Sequence, residues 1–117
     1  MTSKMQTGLD GENAAAEFLV SKGYEVVERN YRSGKAEIDL IVRKGNWLVF
    51  VEVKTRSNSG YGFPEAFVDR AQKELILKTA VNYMYKINWK GNVRYDIVSV
   101  LGVEYEREVV HFEDAFY

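Results

Sequence analysis

The most constraining feature of the sequence is the apolar run 47–53, which follows the dipeptide Gly45-Asn46. Both alternating sets of side chains in this run are apolar, a pattern typical of a central strand that is covered on both faces of a sheet. The preceding segment 37–43 is also β-rich, and a glycine at the first loop position favours a two-residue hairpin between the two strands. Alternation places three apolar side chains of that segment on one face: Ile38, Leu40 and Val42.

Two segments show the periodicity of helices that bury one face. The first covers 11–22, with Asp10 as its N-cap and Gly23 as its stop signal. The second covers 69–86. The apolar stripe of this second helix consists of Ile76, Ala80, Tyr83 and Ile87.

Further β-rich segments cover 24–31, 93–101 and 108–112, and the polar segment 57–62 predicts a flexible loop. The resulting order α-β-β-β-α-β-β predicts an α/β fold with one mixed β-sheet flanked by helices. A length of 117 residues fits a single domain that spans 1–117.

The residue inventory excludes several kinds of chemistry. The chain has no cysteine, which excludes disulfides, zinc ribbons and thiol nucleophiles, and the single His111 excludes a site built from several histidines. No apolar run approaches the roughly 20 residues of a membrane-spanning helix, and segment 1–10 has no signal-peptide core. We therefore expect a soluble protein of the cytoplasm that does not contact a membrane.

The charges are unevenly distributed along the chain. The formal net charge is −1, but 22–73 holds ten basic and seven acidic residues, a balance of +3, and the remainder holds six basic and ten acidic residues, a balance of −4. This asymmetry indicates one face that tolerates phosphate groups.

The hairpin places two carboxylates opposite each other. If the two-residue loop is complete, the numbers of paired residues sum to 91, so Asp39 faces Glu52 and Glu37 faces Lys54. Opposed Cβ atoms lie roughly 4.5–5.5 Å apart, where like charges repel. Two half-buried carboxylates at that distance need a proton or a cation between them. Such an all-oxygen pair suits Mg²⁺ or Mn²⁺.

Glu12 is a third acidic candidate. It precedes Ala15 and Leu19 by three and seven residues and therefore shares their inward-facing helix stripe in the first turn. A carboxylate on that stripe is explained by a nearby cation, or alternatively by the positive N-terminus of the helix.

The spacing also allows interpretations without a metal. Glu52 and Lys54 would then form a solvated strand end, and Asp39 would form a salt bridge with Lys54 or Arg56. A one-residue bulge at Gly45 would shift Asp39 out of register with Glu52.

Asp39, followed by Glu52-Val53-Lys54 on the next strand and preceded by Glu12 on a helix, resembles the PD-(D/E)xK restriction-endonuclease-like superfamily. The chain is most similar to the YraN-like family of small bacterial proteins, over about residues 8–116. Four segments carry this similarity: Gly11-Glu12, Glu37-Ile38-Asp39-Leu40-Ile41, Val49-Phe50-Val51-Glu52-Val53-Lys54-Thr55-Arg56 and Arg94-Tyr95-Asp96. The chain departs from the family pattern at two positions, with Ala36 in place of a glycine and Gln72, beside Lys73, in place of a lysine.

The resemblance implies a restriction-endonuclease-like fold and roles for five residues. Asp39 and Glu52 would ligate the metal, and Glu12 would be a further acidic position near it. Lys54 would orient or polarise the attacking water and stabilise charge on phosphorus. Gln72 would contact phosphate or water, or would form a helix-capping box with Asp69.

The function expected on these grounds is metal-dependent hydrolysis of phosphodiester bonds in DNA, with branched or damaged DNA as the preferred structure. A junction-cutting enzyme of this kind would act as a homodimer. The alternatives are a nucleic-acid-binding module with little catalysis and a protein-interaction module of a DNA-processing complex. The candidate DNA-contacting residues are Arg32, Lys35, Arg56, Gln72 and Lys73, with Tyr61 stacking on an exposed base.

Two further observations concern the end of the chain. Arg94 and Asp96 share one face of their strand and are expected to form a structural salt bridge. His111 is interpreted as a strand residue and not as a catalytic base.

Overall fold

The computed structural model of the chain describes residues 4–56, 70–102 and 107–115. The predicted order α-β-β-β-α-β-β is confirmed. The elements are α1 (Lys4–Ser21), β1 (Glu25–Ser33), β2 (Ala36–Lys44), β3 (Trp47–Arg56), α2 (Arg70–Ile87), β4 (Asn92–Leu101) and β5 (Glu108–Phe112). The predicted loop 57–62 lies outside the described residues.

The five strands form one mixed sheet in the order β1-β2-β3-β4-β5. β3 and β4 are parallel, and the other neighbouring pairs are antiparallel. A parallel pair requires a crossover connection, and α2 lies within the one between β3 and β4. None of the helices in the described ranges is long and apolar enough to span a membrane.

The hairpin between β2 and β3 has the predicted two-residue loop. Gly45 adopts a φ of +58°, a left-handed conformation that glycine adopts without steric cost. Lys44 pairs with Trp47, and every pair as far as Leu40 and Val51 sums to 91. A bulge at Gly45 is therefore excluded, and the predicted register holds along this ladder.

The first helix begins earlier than its apolar periodicity predicts. It starts at Lys4, so Asp10 lies inside the helix and its assignment as the N-cap is wrong. Segment 4–9 contains no proline, and nothing in it prevents the helix from continuing towards the N-terminus. The predicted stop is confirmed, because Gly23 has a φ of +96° and its N–H donates to the carbonyl of Val20 at 3.0 Å.

Each helix covers one face of the sheet with its own core. Ala15 and Leu19 of α1 pack against a cluster that includes Val49 and Val51. On the opposite face, α2 packs against a cluster that includes Leu48 and Phe50. β3 is therefore the central strand covered on both sides that its apolar run predicts.

Two predicted core positions differ in the structure. Ile87 is 40% exposed, because it is the last residue of α2 and the chain turns at Asn88 with a φ of +56°. Ile38 packs in the cluster beneath α2, whereas Leu40 and Val42 pack in the cluster beneath α1. The expectation that these three side chains of β2 share one face is therefore wrong, and regular alternation fails next to Asp39.

Candidate functional site

The candidate site is centred on the position where the pairing of β2 with β3 changes. Their ladder extends from the hairpin to Leu40 and Val51, and the next position of the register holds Asp39 and Glu52. There the backbone N–H of Val53 donates a hydrogen bond to Oδ2 of Asp39 at 2.8 Å. The carboxylate of Asp39 accepts this hydrogen bond in place of a backbone carbonyl of the neighbouring strand. The orientation of the carboxylate is therefore fixed between the two strands.

Glu52 is buried against this carboxylate. Its side chain is 8% exposed and forms a side-chain hydrogen bond with Asp39. Burial, and then the negative charge of Asp39, raise the pKa of Glu52 from 4.5 to about 9, despite the opposing charge of Lys54. The structure thus brings the two predicted metal ligands together, and at neutral pH one proton between them relieves their repulsion.

Two more carboxylates approach Asp39 from α1 and from β2. Glu12, Glu37 and Asp39 each offer a carboxylate oxygen within 4.8 Å of the other two. Burial, and then the charge of Asp39, raise the pKa of Glu12. Because α1 begins at Lys4, Glu12 lies well inside the helix, so its predicted place in the first turn and its interaction with the helix N-terminus are wrong.

Asn30 of β1 connects these carboxylates from the neighbouring strand. It lies opposite Asp39 in the β1–β2 register and adopts a φ of +51°, which asparagine tolerates better than most residues. In the amide orientation that satisfies its neighbours, its nitrogen donates to Glu37 Oε1 at 3.0 Å and to both carboxylate oxygens of Glu12 at 3.2 Å. The amide therefore holds an acid of α1 next to an acid of β2.

Gly11 allows α1 to bring Glu12 to the sheet. A Cβ atom at this position would overlap Oγ1 of Thr55 on β3. The motif Gly11-Glu12 thus has a physical reason, since the residue without a side chain permits the close approach and the next residue supplies the carboxylate.

Basic side chains surround the acidic cluster. Lys54 is half-buried and close enough to lower the pKa of Glu52. Arg32 forms an exposed ion pair with Glu37 at 3.3 Å. Within the described residues no ion pair joins Asp39 to Lys54, and the side chain of Arg56 lies outside them. The alternative that Lys54 neutralises Asp39 is therefore not supported.

A surface cavity of about 280 Å³ opens beside the carboxyl pair, between the start of β2 and α2. Two of the predicted DNA-contacting residues, Lys35 and Gln72, line it together with Asp39 and Glu52. Lys73 follows Gln72 on α2 and is half-buried. The remaining predicted residues, Tyr61 and the capping residue Asp69, lie outside the described part of the chain.

The sequence analysis missed two members of the site. Glu37 was placed opposite Lys54 but was not included among the candidate metal-binding residues. Asn30 is a residue of low β-propensity within a β-rich segment, and this is the sequence signal that could have indicated its role. Its contacts depend on which strands lie side by side, which local periodicity does not specify.

A second polar cluster lies on β4 and β5. Asp96 is fully buried and accepts hydrogen bonds from Arg94 Nε and Nη2, at 2.8 and 2.9 Å, and from His111 Nε2 at 2.6 Å. Although burial alone would raise the pKa of Asp96, the hydrogen bonds from His111, Arg94 and the backbone of Asp114 lower it. The predicted salt bridge is present, and His111 lies on β5 as predicted.

The donor set of the candidate site suits a hard divalent cation. Glu12, Glu37, Asp39 and Glu52 supply oxygen atoms alone, which Mg²⁺ and Mn²⁺ prefer to nitrogen or sulfur. Burial, and then the negative charge of Asp39, raise the pKa values of Glu12 and Glu52, so the ionised forms of both groups are disfavoured here. A cation would relieve this repulsion as the proton on Glu52 does.

Comparison with known proteins places the chain in a family. The model of the uncharacterised protein family UPF0102 matches residues 11–100. A UPF0102 protein of Cytophaga hutchinsonii is 45% identical over 100 residues, which cover 86% of this chain and 88% of the relative. The UPF0102 protein FP2501 of Flavobacterium psychrophilum is 42% identical over 117 residues, which cover 100% of this chain and 98% of the relative.

A third relative, a UPF0102 protein of Persephonella marina, is 39% identical over 110 residues, which cover 93% of this chain and 91% of the relative. The predicted membership of a small bacterial family is thereby confirmed, whereas the PD-(D/E)xK superfamily placement stays a prediction. The matched region contains Glu12, Asn30, Glu37, Asp39, Glu52 and Lys54. The chain belongs to the uncharacterised protein family UPF0102.

Proposed function

We propose that this protein is a divalent-metal-dependent endonuclease that hydrolyses phosphodiester bonds in DNA. The observation that carries the proposal is the contact of the buried Glu52 carboxyl group with the half-buried Asp39, whose carboxylate the Val53 N–H orients. This pair lies beside a lysine and an open cavity. A carboxyl pair with one buried member is costly to folding, and such a cost is typical of a site that serves a reaction.

Asp39 and Glu52, with Glu12 beside them, would hold Mg²⁺ or Mn²⁺. A bound ion of this kind neutralises phosphate charge and lowers the pKa of a coordinated water. The Val53 N–H keeps Asp39 in one orientation, and Asn30 does the same for Glu12, so the ligands are preorganised before substrate binds.

Lys54 orients the attacking water and stabilises negative charge on the phosphate oxygens. In the reaction the water oxygen bonds to phosphorus, and the bond from phosphorus to the leaving sugar oxygen breaks. Arg32, Lys35, Gln72 and Lys73, with Arg56 and Tyr61, are the proposed contacts to the DNA backbone and to an exposed base. These contacts position the strand without reading its sequence.

Cleavage assays with linear DNA and with branched DNA that carries an unpaired arm test the proposal. We expect product in Mg²⁺ or Mn²⁺, preferentially from the branched substrate, and at least a ~100-fold loss for Asp39→Asn, Glu52→Gln and Lys54→Met. The matched control is Glu17→Gln, which changes an exposed carboxylate of α1 and should leave the rate unchanged.

Three results would contradict the proposed site or the proposed activity. Cleavage that persists equally in Asp39→Asn and Glu52→Gln would show that these residues are not its ligands. Salt-dependent DNA binding without cleavage in either metal would indicate the binding module. Binding that does not depend on salt would favour a protein partner of a DNA-processing complex. Sedimentation analysis tests whether the active species is a homodimer.

A further inference from the structure

A groove leads from the candidate site along α2. The cavity beside Asp39 and Glu52 adjoins a second one of about 280 Å³, since Lys35, Ala36 and Leu75 line both. Because they share this border, the two cavities form one continuous depression with the carboxylates at one end. We call this depression the α2 groove.

One wall of the α2 groove is a single face of the helix. Gln72, Leu75, Thr79 and Asn82 follow one another at spacings of three, four and three residues, which places them on one side of α2. These ten residue steps correspond to about 15 Å of helix. The opposite wall is the turn between β1 and β2, at Ser33, Gly34 and Lys35. The depression therefore extends along α2, between the helix and this turn.

Away from the carboxylates at one end, the chemistry of the lining suits a polyanion with flat apolar groups. Lys35 and Lys78 are exposed, and neither forms an ion pair with a carboxylate of the described segments. Leu75 is 45% exposed, which leaves an apolar surface between the two lysines. The amide of Asn82 adds a hydrogen-bond donor and acceptor at the far end. Cations bind phosphates, apolar side chains pack on base faces, and amides bond to base edges.

We infer that the α2 groove holds a single nucleic-acid strand and directs it into the candidate site. The groove is concave, it is bounded by a helix and a turn, and each of its two cavities measures about 280 Å³. An unpaired strand fits such a channel, with its phosphates towards the lysines and its bases against Leu75. The expected substrate is therefore the unpaired arm of a DNA structure. This assignment of a substrate rests on the proposed nuclease function, but the binding itself does not.

Strand binding is measured by fluorescence anisotropy in EDTA, so that cleavage plays no part. The probes are a labelled single-stranded oligonucleotide and a blunt duplex of the same length. We expect the wild type to bind the single strand about tenfold more tightly. Lys78→Ala should weaken single-strand binding about fivefold and reduce the slope of log affinity against log salt by about 0.7, the value for one lost phosphate contact.

The matched control is Lys90→Ala, which removes an exposed lysine that follows α2 and does not line the groove. A normal affinity for Lys90→Ala together with a weakened Lys78→Ala supports the inference. Tighter binding of the duplex, or equal single-strand affinities for the two variants, overturns it. Cleavage in Mn²⁺ is measured in a separate assay. Normal strand binding without cleavage would contradict the nuclease proposal alone, whereas cleavage without binding in the groove would contradict this inference alone.

Discussion

Oδ2 of Asp39 accepts a hydrogen bond from the backbone N–H of Val53 at 2.8 Å, across two adjacent strands. This single contact ends the regular pairing of β2 with β3 and fixes the orientation of the carboxylate at the same time. It also explains why Glu52, the residue before Val53, has its carboxyl group against Asp39. The strand pair thus creates an acid pair that is unfavourable unless a proton or a cation accompanies it.

Glu52→Gln should stabilise the protein at alkaline pH in EDTA. The folded-state pKa of Glu52 is raised to about 9, above the 4.5 of the unfolded chain. Stability from the protonated acid is therefore fully present below pH 4.5 and is lost as the pH rises towards 9. At about 1.4 kcal/mol per pKa unit, the wild type should lose on the order of 5 kcal/mol between pH 4.5 and pH 8 that the variant does not lose. Urea denaturation at pH 4.5 and pH 8 measures this difference.

The control for this measurement is Glu17→Gln, which removes an exposed carboxylate. It should change the free energy of unfolding by the same amount at both pH values. If the difference in free energy of unfolding between Glu52→Gln and the wild type does not change with pH, Glu52 is ionised in the folded protein.

Mn²⁺ should stabilise the wild type more than it stabilises Asp39→Asn. A ligand that binds only the folded state raises its stability by about 2.7 kcal/mol at a concentration of 100 times Kd. The ion would replace the proton at the acid pair, so the effect should be greater at pH 8 than at pH 6. Thermal unfolding in a Mn²⁺ series measures the shift in Tm, and equal shifts in both proteins would place the ion away from Asp39.

The position of the acid pair could be predicted from the sequence because it depends on local chemistry. A glycine at the first loop position determines the turn, the turn determines the register, and the register brings Asp39 to Glu52. Each step involves residues that are close in the sequence, and the apolar pattern of β3 excludes a slip by one residue.

The rest of the site could not be predicted because it depends on tertiary packing. Asn30 adopts its left-handed conformation in the middle of a strand, where local propensity predicts extended backbone. The position of Glu12 depends on how closely α1 approaches β3 at Gly11. Ile38 and Leu40 pack on opposite faces of the sheet because of the same local irregularity, which period-two alternation does not predict.

Replacements of Asn30 should separate its two roles. Asn30→Gly keeps the left-handed conformation but removes the amide that contacts Glu12 and Glu37, so we expect a roughly tenfold weaker Mn²⁺ affinity with little change in Tm. Asn30→Ala should in addition lose about 1 kcal/mol of stability, because a φ of +51° is unfavourable for alanine. Calorimetric titration and urea denaturation of both variants test this. An unchanged metal affinity in Asn30→Gly would show that the amide does not contribute to metal binding.

Asp96→Asn should strongly destabilise the protein without involving the candidate site. The carboxylate is fully buried and balances Arg94, so neutralising it leaves the guanidinium with the longer ion pair to the exposed Glu113, at 3.7 Å. Breaking a buried ion pair in this way costs about 3–5 kcal/mol. Because its pKa is lowered in the folded state, the contribution of Asp96 is present at neutral pH and is lost as the pH falls. Asp114→Asn, at an exposed side chain, is the control, and equal stabilities of the two variants would contradict the structural role.

Gly11→Ala should impair both stability and activity by forcing α1 away from β3. The added Cβ would overlap Oγ1 of Thr55, and relief requires a shift of the helix that carries Glu12. Overpacking of this kind costs about 1–3 kcal/mol, and a displacement of about 1 Å at a catalytic group can cost about a hundredfold in rate. Adding Thr55→Ala removes the overlapping hydroxyl and should restore part of both losses. The displacement of Glu12 should also weaken Mn²⁺ binding, which calorimetric titration measures. Ala14→Gly, a change of the same size on the same helix, should lower stability but leave the Mn²⁺ affinity unchanged. An equal effect of both changes on Mn²⁺ affinity would show that the approach of α1 does not position Glu12.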